Sequence, residues 1–331
     1  MTADEDAPMT QRTPAPDWYP QPTYRAKPSR AGKNGRLLIL VTVLLTLVVG
    51  AGHEGLLPQW MPLRTTLVGA APTAPVVDYP VFGSNDLVKY LAASMIAQEG
   101  SINVSFWANA PGIGREGVFD AVSEAAIQNP NVFVDGWTYQ ATVTGIMLRP
   151  DYVYSATRAE QRRVDTAAAV RVGLKQAGVT SGQTIRQKSR AIHDYIADIA
   201  TYDSNAAAAI TAGATDGPLV QQSQEAYGIL VAGSAVCNGY AQAFKLMAYA
   251  AGLDSVIVTG EASSGVTTGA HAWNKVLVDG QWRVVDVTWD DADGWGTQEA
   301  YLLLKPGDHA LSTRSADLEW VVDADAGQYG A

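Results

Sequence analysis

Two runs of alternating apolar and polar residues flank the dipeptide Asp279-Gly280, and they strongly constrain how the chain can fold. The first run covers 270–278 and the second covers 281–289. Asp-Gly between alternating runs is a strong short-range signal for a β-hairpin with a two-residue loop. Because loop length fixes the pairing of the two strands, the dipeptide also predicts which side chains lie opposite each other.

This register places a histidine and an aspartate on one face of the predicted sheet. Counted from the loop, His271 lies opposite Thr288, and Trp273 lies opposite Asp286. Since side chains alternate between faces with a period of two, all four share a face, and His271 and Asp286 are diagonal neighbours. A carboxylate on one ring nitrogen can hold an imidazole as a general base. A purely structural His–Asp pair is the alternative.

The chain contains one cysteine, Cys237, upstream of the hairpin. A single cysteine excludes an intramolecular disulfide and a cysteine-pair metal site. The pattern predicts a helix that starts at Cys237 and ends at Ala251, with Gly252 as its C-terminal stop. A helix N-terminus favours a thiolate, and its free N–H groups can bind an oxyanion. A buried core cysteine is the alternative.

Three segments surround these residues: Val236-Cys-Asn-Gly-Tyr-Ala-Gln-Ala-Phe, His271-Ala-Trp-Asn-Lys-Val and Trp282-Arg-Val-Val-Asp-Val-Thr-Trp-Asp-Asp. They resemble the core of the bacterial transglutaminase-like superfamily. The resemblance is specific over about 230–290, and it implies an α+β, papain-like fold with the nucleophile helix packed on an antiparallel sheet. It also implies a catalytic triad of Cys237 as nucleophile, His271 as base and Asp286 as orienting acid.

The resemblance further implies a side chain upstream of the nucleophile that helps to bind the oxyanion. Tyr202 is the candidate for this role, with Tyr227 and Gln224 as alternatives, and a plain core tyrosine is the alternative interpretation of Tyr202. Asn274 would suggest a Cys–His–Asn triad, but the hairpin register directs its side chain away from His271.

The N-terminal part is predicted to contain a tail, a membrane segment and a linker. Residues 1–36 are rich in Pro, Gly, Lys and Arg and are typical of a disordered cytoplasmic tail. Residues 37–57 fit a transmembrane signal anchor, and the basic residues before them predict that the rest lies outside the cytoplasm. Residues 58–80 form a Pro-rich linker. A signal peptide that is cleaved, leaving a secreted protein, is the alternative.

Two folded regions are predicted to follow the linker. Residues 81–156 pattern as a small α/β domain, with a strand over 102–108. Residues 157–331 are assigned to the transglutaminase-like catalytic domain, and an Ala/Thr/Gly-rich loop is predicted over 204–218.

The charge and the motifs of the chain indicate which ligands it is not expected to bind. Lys plus Arg number 23 and Asp plus Glu number 33, and the net charge of −10 disfavours nucleic acid as a partner. No cofactor is predicted. No metal is predicted either, and the acidic run at 290–293 lacks the ligand spacing of a calcium loop.

The resemblance and the predicted topology together imply a membrane-anchored, extracytoplasmic cysteine acyl-transfer enzyme. It would act on amide bonds of proteins or wall peptides through a thioester, as a peptidase or amidase or as a transglutaminase. The alternative is a catalytically inactive transglutaminase-like scaffold or binding protein of the cell envelope.

Overall fold

The computed structural model describes most of the chain beyond the predicted anchor. The predicted tail and anchor, and the linker up to residue 70, lie outside the described residues. Within the described part, no helix has both the length and the apolar character needed to cross a bilayer. Two compact units are present, and their boundary falls between Val164 and Asp165. The described residues are 71–142, 145–214, 217–263, 268–291 and 297–317.

The first unit is a three-stranded antiparallel sheet with helices, in the strand order β1-β3-β2. Its helix α1 begins at the N-cap Asn85, whose side chain accepts a hydrogen bond from Val88 N at 3.1 Å. The buried core includes Leu91 of α1, Val122 of α3 and Leu148 of β3. The elements are α1 Asp86–Ile96, β1 Ile102–Asn103, α2 Ser105–Ala108, α3 Gly114–Gln128, β2 Val134–Thr142 and β3 Gly145–Tyr152.

The predicted strand over 102–108 is wrong beyond Asn103. The Asn103 side chain accepts a hydrogen bond from Ser105 N at 3.0 Å, and the Ser105 hydroxyl accepts one from Ile146 N at 2.8 Å. Such local side-chain acceptors compete with a strand ladder. The chain therefore turns into α2 instead of continuing as a strand.

The second unit contains a five-stranded antiparallel sheet, in the order β10-β6-β7-β8-β9, with helices packed against it, and a short parallel pair of β4 and β5. The mixed α+β architecture is therefore as predicted. The elements are α4 Ala156–Gln176, which begins in the first unit, α5 Ile185–Ile199, β4 Thr201–Tyr202, α6 Ser204–Thr211, α7 Pro218–Ser223, α8 Ala226–Leu230, β5 Ser234–Ala235, α9 Cys237–Ala250, β6 Ser255–Ser263, β7 Thr268–Val278, β8 Gln281–Val285, α10 Val287–Asp290, β9 Leu302–Leu304, a 3₁₀ turn His309–Leu311 and β10 Arg314–Ala316.

The predicted loop over 204–218 contains a helix, α6, so that prediction is wrong over 204–211. Asp203 accepts a hydrogen bond from Ala206 N at 2.9 Å and caps the helix. The run of alanines that follows favours a helix once the cap has started it.

The β7–β8 hairpin and its register are confirmed. Asp279 and Gly280 form the loop with φ values of 53° and 73°, as a two-residue turn of this kind requires. The paired residues run from Val278 opposite Gln281 to Asn274 opposite Val285.

The strand β8 ends at Val285, earlier than predicted. Asp286 becomes the N-cap of the short helix α10, and its Oδ1 accepts a hydrogen bond from Trp289 N at 3.2 Å. The predicted pairings of Asp286 with Trp273 and of Thr288 with His271 are therefore wrong, because an aspartate that caps a helix leaves the ladder.

The helix predicted to start at Cys237 is confirmed as α9, and it packs on β6 and β7. Asn274 lies on the opposite face of β7 from His271, as predicted, and its Nδ2 donates to Ala241 O of α9 at 3.0 Å. Gly252 follows the helix with a φ of 75° and terminates it.

Lys245 is a buried cation in α9, 1% exposed, and its Nζ donates to Ser255 O at 2.6 Å. Burial lowers the pKa of Lys245 from 10.5 to about 7, against the opposing charge of Asp254. Between those two values the unfolded chain binds the extra proton, so stability rises with pH there. The burial penalty is complete below about pH 7 and declines above it.

We therefore expect Lys245→Met to raise the free energy of unfolding by about 1–4 kcal/mol at about pH 6. Urea denaturation measures the gain, which should shrink at about pH 9. The control is Lys89→Met, because Lys89 is exposed on α1. An equal gain at both pH values, or a loss at the lower one, would contradict the burial penalty.

Candidate active site

Cys237 is the first residue of α9 and is 0% exposed. The residue before it is held in place, because Val236 N donates to Ser223 O at 2.9 Å. Close packing follows at Gly239, where a Cβ would lie 2.5 Å from Ala235 Cβ and 2.8 Å from Ser223 O. Only glycine fits there, so this contact fixes the backbone around the thiol.

The structure brings His271 and Asp286 together as a buried pair. His271 Nε2 lies 2.7 Å from Asp286 Oδ2, and each residue is 1% exposed. The Cys237 thiol is the other polar neighbour of the ring. The imidazole therefore stands between a carboxylate and a thiol.

The pKa values of His271 and Asp286 are shifted in opposite directions. Burial alone would lower the pKa of His271, but the charge and hydrogen bond of Asp286, with the Cys237 thiol, raise it to about 9. Burial alone would raise the pKa of Asp286, but the charges of His271 and Arg314 lower it to about 2. Near neutral pH the arrangement therefore favours an imidazolium beside a carboxylate, which is the state that can stabilise a thiolate.

Arg314 belongs to this site, although no sequence motif predicted it. Its Nη2 lies 2.5 Å from Asp286 Oδ2, and its side chain is 3% exposed. Arg314 begins the edge strand β10, where it pairs with Ala262 of β6. No motif surrounds it, so only the three-dimensional fold identifies it.

Aromatic rings enclose the imidazole and the guanidinium. The His271 ring stacks on Trp273 with ring centroids 5.8 Å apart and an interplanar angle of 24°, and the Trp289 centroid lies 5.5 Å from that of His271. The Arg314 guanidinium lies 4.0 Å from the ring centroid of Trp289 and 4.4 Å from that of Tyr301. Such rings exclude water from the ionic groups and restrict their rotation.

Tyr202, Gln224 and Tyr227 are the three candidates for oxyanion binding. Tyr202 of β4 pairs with Ala235, two residues before Cys237, and is 6% exposed. Gln224 accepts a hydrogen bond at its backbone oxygen from Asn238 Nδ2 at 3.0 Å. Tyr227 is half-buried on α8. Tyr202 and Gln224 are thus tied to the segment around the thiol.

A second buried histidine–carboxylate pair lies outside this group. His193 of α5 and Asp290 of α10 are each 0% exposed, with Nε2 and Oδ2 3.1 Å apart. Burial opposes protonation, but hydrogen bonds from the His193 ring to the carboxylates of Asp194 and Asp290 raise the pKa of His193. Asp290 Oδ2 also accepts from Tyr301 N at 2.9 Å. Among the described residues, no group of potential ligands is arranged to hold a metal ion.

The model of the transglutaminase-like superfamily matches residues 173–287. This range contains Cys237, His271 and Asp286, which the fold has gathered into one site. The chain therefore carries a domain of the transglutaminase-like superfamily.

Curated relatives match a shorter stretch. Over 61 residues, the chain is 41% identical to kyphoscoliosis peptidase of Mus musculus, and 39% identical to that of Homo sapiens. The match covers 16% of this chain and 9% of each relative, so it spans a small part of those proteins.

Solved structures give weaker likenesses. The crystal structure of a TGase has a TM-score of 0.35 and 17% identity, covering 47% of this chain and 44% of that one. A Cytophaga hutchinsonii protein assigned as a cysteine protease has a TM-score of 0.29 and 20% identity, covering 37% of each chain. Since both TM-scores are low, the family assignment rests on the sequence match.

Proposed function

We propose that the chain is a cysteine acyl-transfer enzyme that acts on amide bonds of proteins or peptides through a thioester. The observation that supports this most strongly is the buried His271–Asp286 pair, 2.7 Å apart, with the Cys237 thiol as the other neighbour of the imidazole. A thiol at a helix start, a base beside it and an acid behind the base form the arrangement that activates a nucleophile. Family membership supports the same chemistry.

In the proposed first half-reaction, the thiolate of Cys237, which lies beside the imidazolium of His271, attacks the amide carbonyl carbon. Backbone N–H groups at the start of α9, with Tyr202 or Gln224, stabilise the oxyanion. The intermediate collapses when the C–N bond breaks and His271 protonates the departing amine. The products are a free amine and a thioester on Cys237.

In the second half-reaction, the acceptor attacks the thioester after His271 removes its proton. The C–S bond breaks, and the sulfur leaves as the thiolate beside the imidazolium. Water as acceptor gives a carboxylate, which makes the enzyme a peptidase or amidase. A primary amine as acceptor gives a new amide, which makes it a transglutaminase.

We further propose that this chemistry takes place outside the cytoplasm, on proteins or wall peptides of the cell envelope. The support is in the sequence: the apolar segment 37–57 follows a basic tail, a pattern that favours an anchor with the remainder exported. The net charge of −10 supports the expectation that nucleic acid is not a partner.

One observation favours the rival candidate, a catalytically inactive scaffold. Cys237 is 0% exposed, and a nucleophile must be reached by its substrate. A thiol that no reagent reaches would support the scaffold, whereas a thiol that reacts quickly would support the enzyme.

Alkylation of Cys237 by iodoacetamide, measured against pH in the full chain, tests the proposal. We expect fast alkylation that persists well below pH 8, because the imidazolium stabilises the thiolate. His271→Ala should slow it roughly 100-fold at about pH 6, since an ordinary thiol is then almost fully protonated.

His309→Ala is the matched control, because His309 is exposed in the 3₁₀ turn. It should leave the rate unchanged. A slow reaction in the wild type that rises only near pH 8–9 and ignores His271→Ala would reject the enzyme in favour of the scaffold.

Casein with monodansylcadaverine distinguishes the two acceptors. Covalent incorporation of the fluorescent amine indicates a transglutaminase, and the appearance of new casein fragments indicates a peptidase. Both signals should disappear in Cys237→Ala, which removes the sulfur that carries the acyl group.

A further inference from the structure

The proposed triad has a charge imbalance once its nucleophile is ionised. The thiolate of Cys237 and the carboxylate of Asp286 carry two negative charges, and the imidazolium of His271 carries one positive charge. All three residues are at most 1% exposed. A net charge in such a place is unfavourable, because burial removes the water that would solvate it.

Arg314 is the cation that restores neutrality. Its Nη2 lies 2.5 Å from Asp286 Oδ2, the same oxygen that accepts from His271 Nε2 at 2.7 Å. The other carboxylate oxygen, Oδ1, accepts from Trp289 N at 3.2 Å. Asp286 is therefore fixed at both oxygens, and one of them is shared between the two cations.

Aromatic rings hold the guanidinium of Arg314 next to Asp286. It lies over Trp289 at 4.0 Å and Tyr301 at 4.4 Å, with Trp273 at 5.9 Å. Cation–π contacts in a desolvated place hold a guanidinium strongly. Its backbone is fixed as well, because β10 pairs with β6 from Arg314 onwards.

We propose that Arg314 is a positioning residue of this site, which supplies the fourth charge that lets buried Cys237 exist as a thiolate and fixes Asp286 Oδ2 on the imidazole. This inference rests on the proposed function. The groups that titrate or carry charge around Asp286 are His271 from β7, Arg314 and Tyr301 on the aromatic side, and Cys237 from α9 behind the imidazole.

Removing a fixed positive charge favours the protonated form of every neighbour that titrates. In Arg314→Met, which keeps an apolar side chain among the rings, the thiolate should therefore form only at higher pH. We expect the pH of half-maximal alkylation of Cys237 to rise by roughly 1 to 3 units in the full chain. Arg314→Lys keeps the charge and should stay close to the wild-type value.

A packing role alone predicts another result. In that case Arg314→Met and Arg314→Lys would reduce stability or rate together, without moving the half-maximal pH. Arg283→Met is the matched control, because Arg283 is also buried, at 6%, and its Nη2 donates to Gln281 at 2.7 Å. That control should not shift the profile.

Thermal unfolding identifies a variant that fails to fold. If Arg314→Met does not fold, Arg314→Gln replaces it, because glutamine also removes the charge but keeps a hydrogen-bond donor for Asp286: an upward shift of the half-maximal pH supports the proposal, and an unshifted profile overturns it. An unshifted profile in folded Arg314→Met also overturns it. A wild-type profile that ignores His271→Ala overturns the proposed function and the role of Arg314 with it, so the two failures are distinguishable.

Discussion

Asparagine in place of Asp286 is expected to lower turnover of casein by about 10²–10⁴-fold, the usual contribution of general acid–base catalysis. The asparagine oxygen can still accept from Trp289 N and cap α10, so the fold should remain. Its amide nitrogen would face His271 and Arg314, which are both donors. The imidazole then loses its negative partner and its preferred tautomer.

The measurement is the initial rate of fragment release or amine incorporation, compared with far-UV circular dichroism of the same sample. Asp279→Asn is the control: it makes the same chemical change at the exposed tip of the same hairpin, where Asp279 lies 3.0 Å from Arg186. It should leave turnover unchanged. Wild-type turnover in Asp286→Asn would show that Asp286 is not the orienting acid.

Alanine in place of Gly260 should separate the edge strand from the sheet. Gly260 pairs with Ala316 of β10 on one side and with His271 of β7 on the other. A Cβ would lie 1.9 Å from Ser315 O, which no backbone tolerates. We expect a loss of about 3 kcal/mol in the free energy of unfolding, as overpacked sites show.

The same variant should also change the chemistry, because β10 carries Arg314. If the strand moves outwards, the guanidinium leaves Asp286, and the half-maximal pH of Cys237 alkylation should rise as in Arg314→Met. Gly182→Ala is the control, since no atom lies within 4 Å of a Cβ at Gly182. Unchanged stability and an unchanged pH profile in Gly260→Ala would contradict the tight contact.

The parts of the site that follow from local pattern were predictable from the sequence. The Asp279-Gly280 loop sets the register, and the apolar stripe after Cys237 sets the helix. Counting along the strand was enough to predict that His271 and Asp286 meet. They do meet, although Asp286 reaches the imidazole from a helix cap and not from the strand.

The remaining features of the fold and the site depend on local hydrogen bonds that compete with strand pairing, or on residues far apart in the sequence. At Asp286 and at Asn103, a side chain that bonds to nearby backbone outweighs the alternating pattern, and such competition is too close in energy for a pattern to decide. Arg314 lies 28 residues beyond Asp286 in sequence, and nothing in its neighbourhood distinguishes it from any other arginine. Long-range ion pairs of this kind emerge only from the folded structure.

One turn of helix joins the two histidine–carboxylate pairs of the second unit. Asp286 precedes α10 and Asp290 ends it, and each carboxylate is bonded to its own buried histidine. Because α10 is a single turn, the Asp286–His271 bond and the Asp290–His193 bond share one short backbone segment. The position of Asp286 is therefore set by its contacts in the sheet and also by the contact that the same turn makes with α5.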